Sequence, residues 1–115
     1  MTTETAGRIL LIDDDATFLH VLTRALVARG FAVDGVTDGT AAVAACLEWK
    51  PTHAVLDLKL GAESGLALIP RLLEAQPKLR VLLLTGYASI ATAVEAIKRG
   101  AYDYLAKPVD ADQVV

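Results

Sequence analysis

Several short runs of this chain are apolar without alternation, above all Arg8–Ile12 (RILLI) and Arg80–Leu84 (RVLLL), and each ends abruptly at polar residues. A strand with one wet face alternates apolar and polar side chains; a strand apolar throughout must be covered on both faces. That constraint points to a parallel sheet sandwiched between helices and joined by right-handed crossovers.

The intervening segments fit this reading. After the first run, Asp15 is placed to cap a helix over Ala16–Arg29, with Phe18, Leu22, Ala25 and Leu26 on one face and Gly30 as its stop. Phe31–Val36 reads as a second strand, Thr40–Trp49 as a small-residue helix ended by Pro51, and His53–Leu56 as a third strand stopping at Asp57. Gly61–Gly65 reads as a loop and Leu66–Ala75 as a helix. The strand Arg80–Leu84 stops at Thr85-Gly86. A helix over Ser89–Arg99 and a fifth strand over Tyr102–Ala106 follow, the latter stopping at Lys107-Pro108. A last helix begins near Asp110 and is too short at Val115 to cover a sheet face. The expectation is one α/β domain over residues 8–115, its final helix incomplete, after a disordered N-terminal tail over residues 1–7.

At 115 residues the chain suits one domain, and 54% hydrophobic residues supply a core. A net charge of −3 gives no reason to expect a direct grip on nucleic acid or an acidic membrane surface. No apolar run has the length of a membrane helix. The single cysteine, Cys46, cannot form an internal disulfide, and the chain suits a reducing cytoplasm.

In doubly wound sheets the ligand crevice lies outside the carboxyl ends of the strands. Asp13 and Asp14, Asp57, Thr85 and Lys107 stand at four such ends. Carboxylates crowded together either take up protons or bind a cation. Oxygen ligands without His or Cys favour a hard ion such as Mg²⁺, which keeps waters and leaves room for phosphate oxygens. Lys107 would add a fixed positive charge and Thr85 a hydroxyl donor, and Gly86 leaves space for an incoming phosphoryl group. A carboxylate in that setting can act as nucleophile towards phosphorus. Each residue also has an ordinary reading: helix-start acids for Asp13–Asp15, a turn acid for Asp57, a solvated Lys107, a strand-end Thr85. For Asp15 the capping role is preferred. For the others, their joint arrival at one rim argues against coincidence.

The segments ILLIDDD (Ile9–Asp15), AVLDLKLGAESGL (Ala54–Leu66), VLLLTGYAS (Val81–Ser89) and GAYDYLAKP (Gly100–Pro108) resemble the response-regulator receiver family, of which CheY is the familiar small member. The family's spacing from Asp14 to Asp57, Thr85 and Lys107 is kept, and the likeness spans about residues 8–115. It implies a five-stranded parallel sheet in the order 2-1-3-4-5. It also implies Asp57 as phosphoacceptor, Asp14 as direct metal ligand, Asp13 as a ligand through water, and the backbone carbonyl of Lys59 completing the shell around Mg²⁺ or Mn²⁺. Thr85 and Lys107 would hold phosphoryl oxygens, Tyr104 would be the aromatic switch, and the Lys107-Pro108 bond would be cis. A sensor histidine kinase would be the donor, phosphorylation could drive a homodimer, and no membrane is involved. The stretch Leu84–Val114 is similar to the RegA/PrrA/ActR branch of transcription regulators, in which DNA is bound through a C-terminal effector absent from this chain.

The rival from another class is a turnover phosphatase of the haloacid-dehalogenase kind. Those enzymes need an acid two residues after the nucleophile, where this chain has Lys59, and nothing here supplies a cap domain. A receiver-like module that has lost phosphorylation is disfavoured because every required residue is present. Nucleotide binding is disfavoured because the chain lacks G-x-x-x-x-G-K-[ST]. His20, His53 and Cys46 read as surface or packing residues, and Trp49 as cover for a helix end. The side chains of Lys59 and Tyr87 are positioned to influence phosphate lifetime. The short final helix would leave apolar surface beside the first and fifth strands, lowering stability or promoting pairing of two copies.

Overall fold

The computed structural model describes residues 7–60, 63–85 and 90–106, and for Lys59, Thr85 and Tyr104 the backbone alone. Of the expected tail over 1–7, residues 1–6 lie outside the described residues, as do Gly86, Tyr87, the Lys107-Pro108 bond and the final helix; Gly7 is not part of a loose tail, since its C=O accepts from Ala32 N–H at 2.9 Å.

The elements run β1 (Arg8–Ile12), α1 (Ala16–Ala28), β2 (Ala32–Val36), α2 (Gly39–Glu48), β3 (His53–Asp57), β4 (Lys59–Leu60), β5 (Glu63–Ser64), α3 (Gly65–Ala75), β6 (Arg80–Thr85), α4 (Ile90–Lys98) and β7 (Asp103–Ala106). β2, β1, β3 and β6 pair in parallel in that order, which is 2-1-3-4 once the small β4-β5 hairpin is set aside. This is the doubly wound arrangement expected of solid apolar strands. Along the far edge, β7 lies parallel to β6, with Leu82 opposite Asp103 and Thr85 opposite Ala106.

Two buried clusters show why the strands do not alternate. Leu10, Ile12, Ala54, Leu56, Val81 and Leu83 pack on one face against Ala42 and Cys46 of α2, Leu68, Ile69 and Leu72 of α3, and Ala96 of α4. Ile9, Leu11, Val55 and Leu84 pack on the other against Leu19, Leu22 and Leu26 of α1. Period-two geometry sends neighbouring side chains to opposite faces, and here both faces are dry. Each fully buried leucine contributes about 1.5–3 kcal/mol relative to exposure.

Helix starts follow local chemistry. The Asp15 carboxylate accepts from the N–H groups of Thr17 (3.0 Å) and Phe18 (3.1 Å), as the sequence suggested. Asp38 caps α2 in the same way, accepting from Ala41 N–H at 2.8 Å. α2 runs from Gly39 to Glu48 and not from Thr40 to Trp49, with Trp49 as its C-cap. Gly30 ends the α1 segment at φ +93°, a conformation that costs a side-chain-bearing residue.

The segment after β3 differs from the expected plain loop. Lys59–Leu60 and Glu63–Ser64 form an antiparallel hairpin, and α3 begins at Gly65, one residue earlier than anticipated. Pro70 sits inside α3 and cannot donate to the Leu66 carbonyl. A guanidinium N–H of Arg99 donates to that carbonyl at 3.4 Å. Among the described residues, no helix is long and apolar enough to cross a membrane.

Candidate functional site

β1 and β3 are neighbours in the sheet, with Ile12 opposite Leu56, so Asp13 and Asp57 follow paired residues at one rim. Their positions are fixed by backbone hydrogen bonds. Asp13 N–H donates to Val36 C=O at 3.1 Å, extending the β1–β2 ladder by one step past Ile12. Asp57 is the last residue of β3, opposite Leu84, and the following N–H, that of Leu58, donates to Leu84 C=O at 2.8 Å. The Asp13 carboxylate is turned by its own chain: it accepts from Asp15 N–H at 2.9 Å.

The three sequence-predicted acids come together. Carboxylate oxygens of Asp13, Asp14 and Asp57 all lie within 4.8 Å of one another. Asp13 is 2% exposed and Asp57 8%, whereas Asp14 is exposed. Removing carboxylates from water is costly unless hydrogen bonds or a cation compensate. A buried pair with a third acid at its mouth is therefore a set able to chelate a divalent cation, with Asp14 on the solvent side.

Of the other expected site residues, Thr85 ends β6 one position beyond the partner of Asp57, and Tyr104 pairs with Leu83 in the β6–β7 ladder. Lys59 follows Leu58 at the start of the hairpin. Lys107 and Gly86 lie outside the described residues. Gly65 was not anticipated as part of this region. A Cβ built on it would overlap the carbonyl oxygen of Asp57 and stand 3.0 Å from Leu58 Cα. Its φ is not positive, so no turn pattern in the sequence marks it.

The residues judged incidental stay apart from this rim. His20 is exposed on α1. Cys46 is wholly buried among apolar groups, and burial raises its thiol pKa. His53 opens β3, with Nδ1 2.8 Å from the Thr52 hydroxyl, and its pKa is lowered by burial and by the nearby Arg80 charge. Trp49 packs against the core and carries the Arg8 guanidinium 5.9 Å above its ring.

The fold is thus a doubly wound parallel sheet that carries, at the ends of β1 and β3, a carboxylate cluster capable of chelating a divalent cation. The model of the response regulator receiver domain matches residues 9–115, and the chain belongs to that family. It takes a phosphoryl group on its aspartate cluster to signal to an output.

Its relatives include the acid tolerance regulatory protein ActR of Sinorhizobium medicae, 48% identical over 107 residues, covering 93% of this chain and 55% of that protein. The photosynthetic apparatus regulatory protein RegA of Rhodobacter capsulatus is 44% identical over 106 residues, covering 92% and 58%. The chain thus spans little more than half the length of these curated relatives. A crystal structure of a response regulator from Burkholderia pseudomallei, with a phosphorylated aspartic acid, a calcium ion and citrate, superposes with a TM-score of 0.89. It is 45% identical, over 93% of this chain and 63% of that one.

Proposed function

We propose that Asp57 is the phosphoacceptor and that the cation is Mg²⁺, replaceable by Mn²⁺. The carrying observation is the convergence of Asp13, Asp14 and Asp57 at one sheet rim, with Asp57 at the end of a central strand. Mg²⁺ suits an all-oxygen set that leaves coordination positions to waters and phosphate oxygens. When bound, the ion would neutralise charge on the transferring phosphoryl group. Asp14 would ligate directly, Asp13 through water, Asp57 directly, and Lys59 through its backbone carbonyl. The Burkholderia protein, with its phosphorylated aspartic acid and calcium ion, supports a divalent site beside an acyl phosphate.

In the proposed step an oxygen of Asp57 attacks phosphorus, and the bond to the donor breaks with its electron pair leaving on the donor. The donor is a phosphohistidine of a sensor kinase or a small acyl phosphate. Thr85 and Lys107 hold the phosphoryl oxygens, Gly86 leaves them room, and Tyr104 changes position as Thr85 moves. The Lys107-Pro108 bond is cis in this reading. In this reading the sheet has five strands in the order 2-1-3-4-5.

The likeness to the RegA/PrrA/ActR branch, to which the relatives ActR and RegA belong, supports an output in transcription through a C-terminal DNA-binding effector. Phosphorylation would favour a homodimer, in a cytoplasmic protein. The test is incubation with a small acyl-phosphate donor. Stoichiometric, hydroxylamine-labile labelling that requires Mg²⁺ and is stopped by EDTA is expected. Continuous turnover of phosphomonoesters, or labelling indifferent to EDTA, would refute the proposal.

A further inference from the structure

The absence of a side chain at Gly65 has a consequence for the cation site. Leu58 is held on both sides: its N–H donates to Leu84 C=O at 2.8 Å, and its C=O accepts from Gly65 N–H at 2.6 Å. The second bond closes the segment onto the end of β3, and Lys59 pairs with Ser64 immediately inside that closure. Gly65 is buried, and a Cβ there would run into the Asp57 carbonyl oxygen and crowd Leu58 Cα and the Asp57 carbonyl carbon. These are backbone atoms of the last residue of the central strand and of the residue after it, which cannot swing aside as a flexible side chain can.

We propose that Gly65 is a positioning residue of the cation site: its bare Cα lets α3 begin directly against Asp57, which fixes the backbone from Asp57 to Lys59. The inference rests on the reading that Asp13, Asp14, Asp57 and the Lys59 carbonyl hold the ion. In the closed form the Asp57 carboxylate and the Lys59 backbone are set before the cation arrives. Adding a methyl group at Gly65 separates α3 from β3 and loosens both contributions at once, although neither residue is altered.

A second glycine provides the control. Gly100 has φ +109°, and a Cβ on it would overlap Leu73 Cδ1 on α3. Gly100→Ala therefore strains the fold at the end of α4 without touching the aspartates. Mn²⁺ titration of the wild type, Gly65→Ala and Gly100→Ala, alongside urea unfolding, separates local from global effects. Both variants lose stability. Gly65→Ala weakens Mn²⁺ binding by about tenfold or more, whereas Gly100→Ala binds like the wild type. Equal affinity in the wild type and Gly65→Ala overturns the inference and leaves the cation reading intact. Failure of the wild type to bind Mn²⁺ overturns both.

Should Gly65→Ala not fold, the wild type alone still decides. If the closed segment binds the cation better, the cation must in turn hold the segment closed, because coupling is reciprocal. Hydrogen exchange at the Gly65 amide then slows by about tenfold at saturating Mn²⁺. An unchanged exchange rate there, with the metal bound, overturns the inference.

Discussion

The N–H of Asp15 donates to a carboxylate oxygen of Asp13 at 2.9 Å, while the Asp15 carboxylate caps α1 by accepting from Thr17 and Phe18 N–H. Three consecutive acids thus divide into two tasks. Asp15→Ala removes the cap and keeps the backbone donor to Asp13. Urea unfolding should show a loss of about 1 kcal/mol, with Mn²⁺ affinity unchanged. A large loss of metal binding would place Asp15 among the ligands.

Pro70 leaves the Leu66 carbonyl without its helical donor, and Arg99, paired with Glu95 at 3.5 Å, supplies a long substitute. Pro70 is exposed, so its ring contributes little packing. Pro70→Ala restores the helical donor and should raise stability by about 1–3 kcal/mol in thermal or urea unfolding. A lower melting temperature would show that the proline is needed for the approach of α4 to α3.

His53 gives the fold a pH dependence of known sign. Burial and the Arg80 charge hold its folded pKa below the ordinary 6.5. The unfolded chain therefore binds the proton more readily, and stability rises with pH where the two states differ. The contribution is fully present above 6.5 and is lost as pH falls from there through the folded pKa. His53→Gln should flatten the stability profile across this window. An equally steep profile in the variant would assign the dependence to other groups.

Cys46 is 0% exposed, and its thiol is held in the neutral form by burial. Because the thiolate is the reacting species, native protein should resist alkylation under conditions that label the urea-unfolded chain within minutes. Rapid labelling of folded protein would reveal a reactive thiol.

Much of this architecture was legible because burial on two faces leaves a strong trace in sequence. RILLI and RVLLL have no alternation because Leu10 and Leu11, or Leu83 and Leu84, enter different cores. The acids were legible for a related reason: Asp13, Asp14 and Asp57 interrupt apolar runs where the strands meet the crevice. The β4-β5 hairpin was not, since two-residue strands are too short for any period to register. Gly65 escaped notice because its constraint is a close approach between segments distant along neither φ nor pattern, and only the packed structure exposes it. Pro70 was hidden inside an otherwise good helical pattern, and the compensating Arg99 lies on another element.

The central claim is that one carboxylate, at the end of β3, receives the phosphoryl group. Intact-mass measurement after treatment with an acyl-phosphate donor and Mg²⁺ tests it most directly. The wild type should gain one hydroxylamine-labile phosphoryl group and Asp57→Asn none. An Asp57→Asn protein that gains the same labile group would contradict the account.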